Sequence, residues 1–154
     1  ADAVARPNWV VTRTFSKAFR LAAHRIGYAI AHPDIIAVLE KVRLPYNLPT
    51  FSQTAALFAL RHRSDILTSI AETQAERDRV MTAMLDLPDF RAWPSAANFI
   101  YARPTQQPLD QVFRPLYQQR TRNRQTAGSL RITIGTPEEN TRTLEHLQQA
   151  LTVD

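Results

Sequence analysis

The chain has 154 residues, 44% hydrophobic and 21% charged, a make-up that suits one globular domain with a real core or part of a larger protein. With no cysteine and only three glycines, at 27, 128 and 135, it excludes disulfides, thiolate metal sites, cysteine nucleophiles and Gly-rich phosphate loops. Its net charge of +5 favours anionic partners, although a solvated arginine-rich surface would give the same count.

In chain order, residues 8 to 14, "NWVVTRT", are β-branched and aromatic after Pro7 and predict a short buried strand. Residues 25 to 32, "RIGYAIAH", predict a second, closed by Pro33. The segment 33 to 42, "PDIIAVLEKV", opens on Pro and Asp and carries apolar residues at helical spacing, so it predicts a helix. "LPYNLPTFS" is an irregular connection. A long helical pattern then runs from Ser52 to about Leu87, with a break expected near Arg63-Ser64 and Ser64 as the cap of a second helix.

The remainder has shorter elements. "FRAWPSAANFIYARP" predicts two strands around Pro94-Ser95, and "LDQVFRPLYQQ" a helix interrupted by Pro115. "LRITIG" is a strand by its β-branched alternation. In "TPEENTRTLEHLQQAL" Thr136 is the expected N-cap, Pro137 the first helical residue and Glu139 the partner in a capping box. The order predicts an α/β portion followed by a small α+β unit. No apolar run approaches the ~20 residues that span a bilayer. The N-terminal residues have neither the basic start nor the apolar core of a signal peptide. The chain does not begin with Met, so its start is expected upstream, and the cytoplasm is the default compartment.

Chemistry concentrates near the first strand. Thr14, Ser16, Lys17 and Arg25 fall within twelve residues, where two hydroxyls and a guanidinium can converge on one small anion. A lysine beside them could take an aldehyde on the same molecule as a Schiff base, the combination that pyridoxal phosphate requires. Spacing alone leaves open a plainer reading, with Lys17 an exposed strand-end lysine and Arg25 an ion-pair partner. The histidines at 24, 32, 62 and 146 show no metal-ligand spacing, so no metal site is expected. The aromatics lie in apolar runs and read as core. The "RTRNR" run has neither interleaved aromatics nor a nucleic-acid module around it.

The segment from Thr14 to Ala56 resembles the cofactor-lysine region of fold-type I aminotransferases, and most closely the histidinol-phosphate aminotransferase family. The likeness rests on Ser16-Lys17-Ala18-Phe19, Arg25 eight residues after the lysine, Gly27-Tyr28, and "LPYNLPTFSQTAA". "SAANFIYAR" and "LRITIGTPEEN" follow in the family's order. The resemblance implies an α/β fold class: the C-terminal part of a fold-type I transferase, with residues 1–60 ending the large pyridoxal-phosphate domain and residues 61–154 forming a linking helix and the small α+β domain. It implies Lys17 as the catalytic lysine, Thr14, Ser16 and Arg25 as part of the cofactor's phosphate cup, Arg131 as the ligand of the substrate carboxylate, and Arg124 as a second arginine toward the substrate phosphate. It further implies transamination between L-histidinol phosphate and 2-oxoglutarate in histidine biosynthesis, a homodimer when full length, and no nucleic-acid or membrane partner. The acidic partner of the pyridine nitrogen and the ring-stacking aromatic would precede this segment, so the chain alone is expected to be inactive.

Two departures stand out. Arg20 and Ala23 occupy positions where the family usually has glycine. Arg120, Arg122 and Asn123 replace a glycine and an apolar strand, so that strand is expected to be frayed or at an edge, since burying Arg122 unpaired would be costly. The alternatives are another fold-type I enzyme, such as an aromatic aminotransferase or an amino-acid-phosphate decarboxylase, and a non-catalytic basic binding protein.

Overall fold

The computed structural model describes residues 2–121 and 123–152. They form two compact units that divide between Ser69 and Ile70. The first contains α1 (Asp2–Ala5), β1 (Val10–Thr14), β2 (Gly27–Ala31), α2 (Pro33–Val42), α3 (Thr50–Arg61) and α4 (Arg63–Ile66). β1 and β2 pair antiparallel, Val10 opposite Ala31 and Thr14 opposite Gly27. The expectation of buried strands is overturned: every residue of β1 is exposed and only Ala31 of β2 is buried. Among the described residues this sheet has two strands, and their exposure shows that no layer packs along their length. Burial is confined to the loop end, where Phe15, Ile26 and Ala56 form a small cluster with Phe19, Leu21 and Leu48. Ser52 anchors α3 there by donating to the His24 carbonyl at 3.0 Å.

The helices keep most of the predicted pattern. α2 starts at Pro33, with the His32 ring accepting from the Asp34 N–H at 3.3 Å. The long pattern from Ser52 breaks twice rather than once, and Ser64 is not the cap. His62 ends α3 and precedes α4; its ring bonds the Phe58 carbonyl at 2.9 Å and stacks on the Phe58 ring at 4.1 Å. Ser64 lies inside α4. The second break precedes α5 (Ser69–Leu85), where Thr68 donates to the Asp65 carbonyl at 2.8 Å. α1 was not anticipated.

The second unit contains most of α5, then β3 (Phe90–Trp93), β4 (Phe99–Pro104), α6 (Leu109–Gln118), β5 (Arg124–Thr126), β6 (Ser129–Thr133) and α7 (Pro137–Leu151). Its antiparallel sheet runs β3-β4-β6-β5. Ile100, Ala102, Leu130 and Ile132 alternate onto one face and join Val80, Met84, Val112, Leu116 and Leu147 in the core. The expected interruption at Pro115 does not occur, and α6 runs through it. Pro115 removes only the bond to the carbonyl of Gln111, an exposed residue, while Val112 and Leu116 are fully buried and hold the helix down. β5 is a three-residue, exposed edge strand, the edge outcome of the two expected from its polar sequence. Arg122 lies outside the described residues.

α7 carries the predicted capping box: Thr136 accepts from the Glu139 N–H at 3.3 Å, and Glu139 accepts from the Thr136 N–H at 2.9 Å. A Cβ on Gly135 would press into the Glu139 side chain and break the box. Behind it, buried Asn140 donates to Glu76 at 2.8 Å and closes on Gly135 through both backbone groups. Arg79 grips Glu76 with two bonds of 2.9 and 2.8 Å. The Arg79 guanidinium, then the Asn140 amide, hold the Glu76 carboxyl down to about 2 from an ordinary 4.5. A depressed carboxylate stabilises the fold above its unfolded value and loses that contribution as pH falls toward the folded one. The stability gap between the parent and Glu76→Gln should therefore stay constant above about pH 5 and shrink between pH 4.5 and 2. Urea melts across that range would measure it; a gap independent of pH would contradict the network's charge.

Candidate active site

The twelve residues between β1 and β2 are organised by their two ends. Phe15 and Ile26 turn inward, 5% and 6% exposed, and the Phe15 N–H donates to the Ile26 carbonyl at 3.1 Å. Extended backbone alternates its side chains, so the neighbours of Phe15 are turned toward the open side. Thr14 donates through its hydroxyl to the Ser16 oxygen at 2.8 Å and accepts the Ser16 N–H at 3.0 Å. Two hydroxyls thus stand side by side next to Lys17, which is exposed. A turn follows, the Arg20 N–H donating to the Lys17 carbonyl at 2.9 Å with Arg20 left-handed at φ 58°.

Arg25 caps a 3-10 turn (Ala22–His24) in the left-handed region, φ 53° and ψ 46°, and donates to the Ala22 carbonyl at 2.9 Å. An arginine in this region costs about 1–2 kcal/mol relative to glycine. The Arg25 guanidinium reaches the Ala22 carbonyl through one terminal nitrogen, Nη1. Among the described residues, no carboxylate pairs with Lys17 or Arg25. Gly27 is required by proximity, since a Cβ there would lie 2.7 Å from the Arg13 carbonyl oxygen.

Arg131 and Arg124 belong to the second unit. Arg131 sits mid-strand in β6, on the face opposite buried Leu130 and Ile132, and its guanidinium lies over the Phe99 ring at 3.9 Å. The β5–β6 register places Arg124 directly opposite it, and β4 places Tyr101 on its other side. Tyr101 donates to the carbonyls of Thr126 and Ala127 at 2.7 and 3.2 Å, fixing the β5–β6 turn. Phe99 and Tyr101 were not singled out from the sequence, yet the alternation of "NFIYAR" on the strand pairing with "LRITIG" puts both beside Arg131. The donors that this loop carries, the Thr14–Ser16 hydroxyl pair beside the Lys17 amine and the Arg25 guanidinium further along it, have the chemistry to fit an anionic aldehyde such as pyridoxal phosphate. Among the described residues no three potential metal ligands cluster, and no helix is long and apolar enough to cross a membrane.

Comparison with known proteins gives a context for this arrangement. A family model described as aminotransferase class I and II matches residues 1–147. Histidinol-phosphate aminotransferase 2 of Nostoc sp. is 53% identical over 153 residues, covering 95% of this chain and 40% of the relative. The chain thus spans about 40% of the length of the curated relatives it matches. Among solved structures, L-threonine-O-3-phosphate decarboxylase from Porphyromonas gingivalis aligns with a TM-score of 0.87 at 22% identity, over 99% of this chain and 49% of that one. Histidinol-phosphate aminotransferase from Sinorhizobium meliloti, in complex with pyridoxal-5'-phosphate, aligns with a TM-score of 0.75 at 22% identity, over 96% and 42%. At such identities these structures speak for the fold: part of a fold-type I transferase.

The close approach of Gly27 to Arg13 generates a direct test. Gly27→Ala should force β1 and β2 apart and cost roughly 1–3 kcal/mol, the usual range for overpacking. Gly128→Ala, where nothing lies within 4 Å of an added Cβ, should cost only what its left-handed φ of 74° imposes. Thermal melts of both variants would rank them; a neutral Gly27→Ala would mean the strands are not so closely apposed.

Proposed function

The chain belongs to the class I and II aminotransferases, and from that premise we propose that the full-length protein transfers an amino group between L-histidinol phosphate and 2-oxoglutarate with pyridoxal phosphate. The observation that carries the reading is local: Lys17 directly follows the Thr14–Ser16 hydroxyl pair, in a loop that also holds the strained Arg25. The substrate choice rests on relatives of about 50% identity named histidinol-phosphate aminotransferase.

When bound, pyridoxal phosphate supplies an electron sink for the pair released at the substrate α-carbon. Thr14 and Ser16 would donate their hydroxyl hydrogens, and Arg25 its unused N–H groups, to the cofactor's phosphate oxygens. Lys17 Nζ would hold the cofactor's aldehyde end and then move the proton at the α-carbon. Arg131 would bind the substrate's anionic group through a fork that Phe99 holds in plane, with Arg124 contributing a second positive charge. We further propose that residues 1–60 complete a larger sheet, that the full-length protein is a homodimer, and that it works in the cytoplasm. In support, Val11, Tyr28 and Ile30 lie exposed on one face of the β1–β2 pair and Val10 on the other, apolar surface that packing layers of a larger sheet domain would cover.

Arg25 and Arg131 should fail differently in the full-length protein. Arg25→Ala should weaken cofactor retention and recover partly with excess pyridoxal phosphate. Arg131→Ala should keep the cofactor and lose roughly 30- to 1000-fold in kcat/KM, the effect of removing one partner from a charge-assisted contact. Arg131→Lys should recover little, for want of the fork. Steady-state kinetics with cofactor titration would decide; loss of cofactor from Arg131→Ala would refute the assignment, and preferred turnover of phenylalanine would refute the substrate. Lys17→Ala should abolish the visible cofactor band and Lys41→Ala should leave it, as a spectrum of each would show.

A further inference from the structure

The outer face of the four-stranded sheet is unusual in its charge. Trp93, Tyr101, Arg131 and Arg124 form one cross-strand row over all four strands, and Arg91 stands opposite Arg103 in the neighbouring row. None of the outward strand positions is acidic. Among the described residues neither Arg91 nor Arg103 has a carboxylate partner. Like charges directly opposed across an antiparallel pair destabilise a sheet, yet here both guanidinium groups lie against the same Trp93 ring, at 4.9 and 5.6 Å from its centre.

We propose that Arg91 and Arg103, opposed across β3–β4 and both set against Trp93, form an anion subsite for a phosphate-type dianion, separate from Arg131 and Arg124. A carboxylate's two oxygens are satisfied by one guanidinium fork. Two forks from two strands call for an anion with more acceptor oxygens and a charge near −2, which a phosphate group supplies. The Trp93 ring lies against both guanidinium groups and, as an aromatic face, leaves their in-plane N–H donors to other partners. The pair lies one row, about 7 Å, along β4 from Tyr101 and Arg131, and the Arg131 guanidinium is directed the other way, over Phe99 in the row beyond. The proposal does not depend on the transamination reading.

Calorimetric titration of the cofactor-loaded, full-length protein with inorganic phosphate at low ionic strength, against a chloride control of matched ionic strength, tests it. Saturable phosphate binding is expected in the parent and in Arg131→Gln. It should weaken roughly tenfold or more in Arg91→Gln and in Arg103→Gln, and to a lesser degree in Arg91→Lys, which keeps the charge and loses the fork. Since either glutamine variant relieves the repulsion, both should melt no lower than the parent, while the thermal shift on adding phosphate should disappear. Heat no greater than the chloride control, binding that survives both glutamine variants, or binding lost in Arg131→Gln would each overturn the proposal. A glutamine variant melting well below the parent would do the same, by showing that the pair serves the fold.

Discussion

The hydrogen bond from the Phe15 N–H to the Ile26 carbonyl, with both side chains buried beneath it, is the constraint on which the first unit's chemistry depends. It closes the loop between β1 and β2 and fixes which residues face inward. Once Phe15 is committed to the small apolar cluster, Thr14 and Ser16 meet on the opposite side and Lys17 follows into the open. Gly27 lets the strands come close enough for that bond, and Arg25 takes on backbone strain to enter them. The arrangement of the loop is therefore a consequence of two buried side chains and one missing Cβ.

The second unit solves a parallel problem by different means. Burial of Leu130 and Ile132 turns Arg131 outward, and Phe99 holds its guanidinium. The end of β6 is then locked to α7 and α5 by Gly135, Asn140, Glu76 and Arg79. A charged pair of this kind contributes by geometry more than by raw energy, since an ion pair near solvent is worth little in isolation. Its value lies in fixing where the strand ends and the helix begins; the register that brings Arg124 opposite Arg131 is set by the β5–β6 turn that Tyr101 holds.

Much of this was legible in the sequence. The capping box at Thr136 and the strand "LRITIG" follow from local patterns that tertiary packing reinforces. The fold-type I assignment was legible because several short motifs recur in one order. What local reasoning missed depended on neighbours. The exposure of β1 could not be read from "NWVVTRT", whose β-branched residues signal strand and say nothing of what covers it. Pro115 does not break α6 because buried residues on both sides outweigh one lost bond. His62 displaced Ser64 as the break point because its ring finds both a carbonyl and an aromatic partner. The Arg91–Arg103 opposition appears only when strand register is known.

The central claim is that Lys17 is the amine placed to meet the cofactor. Borohydride reduction of the full-length protein in the presence of pyridoxal phosphate, followed by digestion and mass mapping, tests it most directly. The account predicts a single reduced adduct on the peptide containing Lys17. An adduct on Lys41 or on a lysine outside these residues, with Lys17 unmodified, would contradict it.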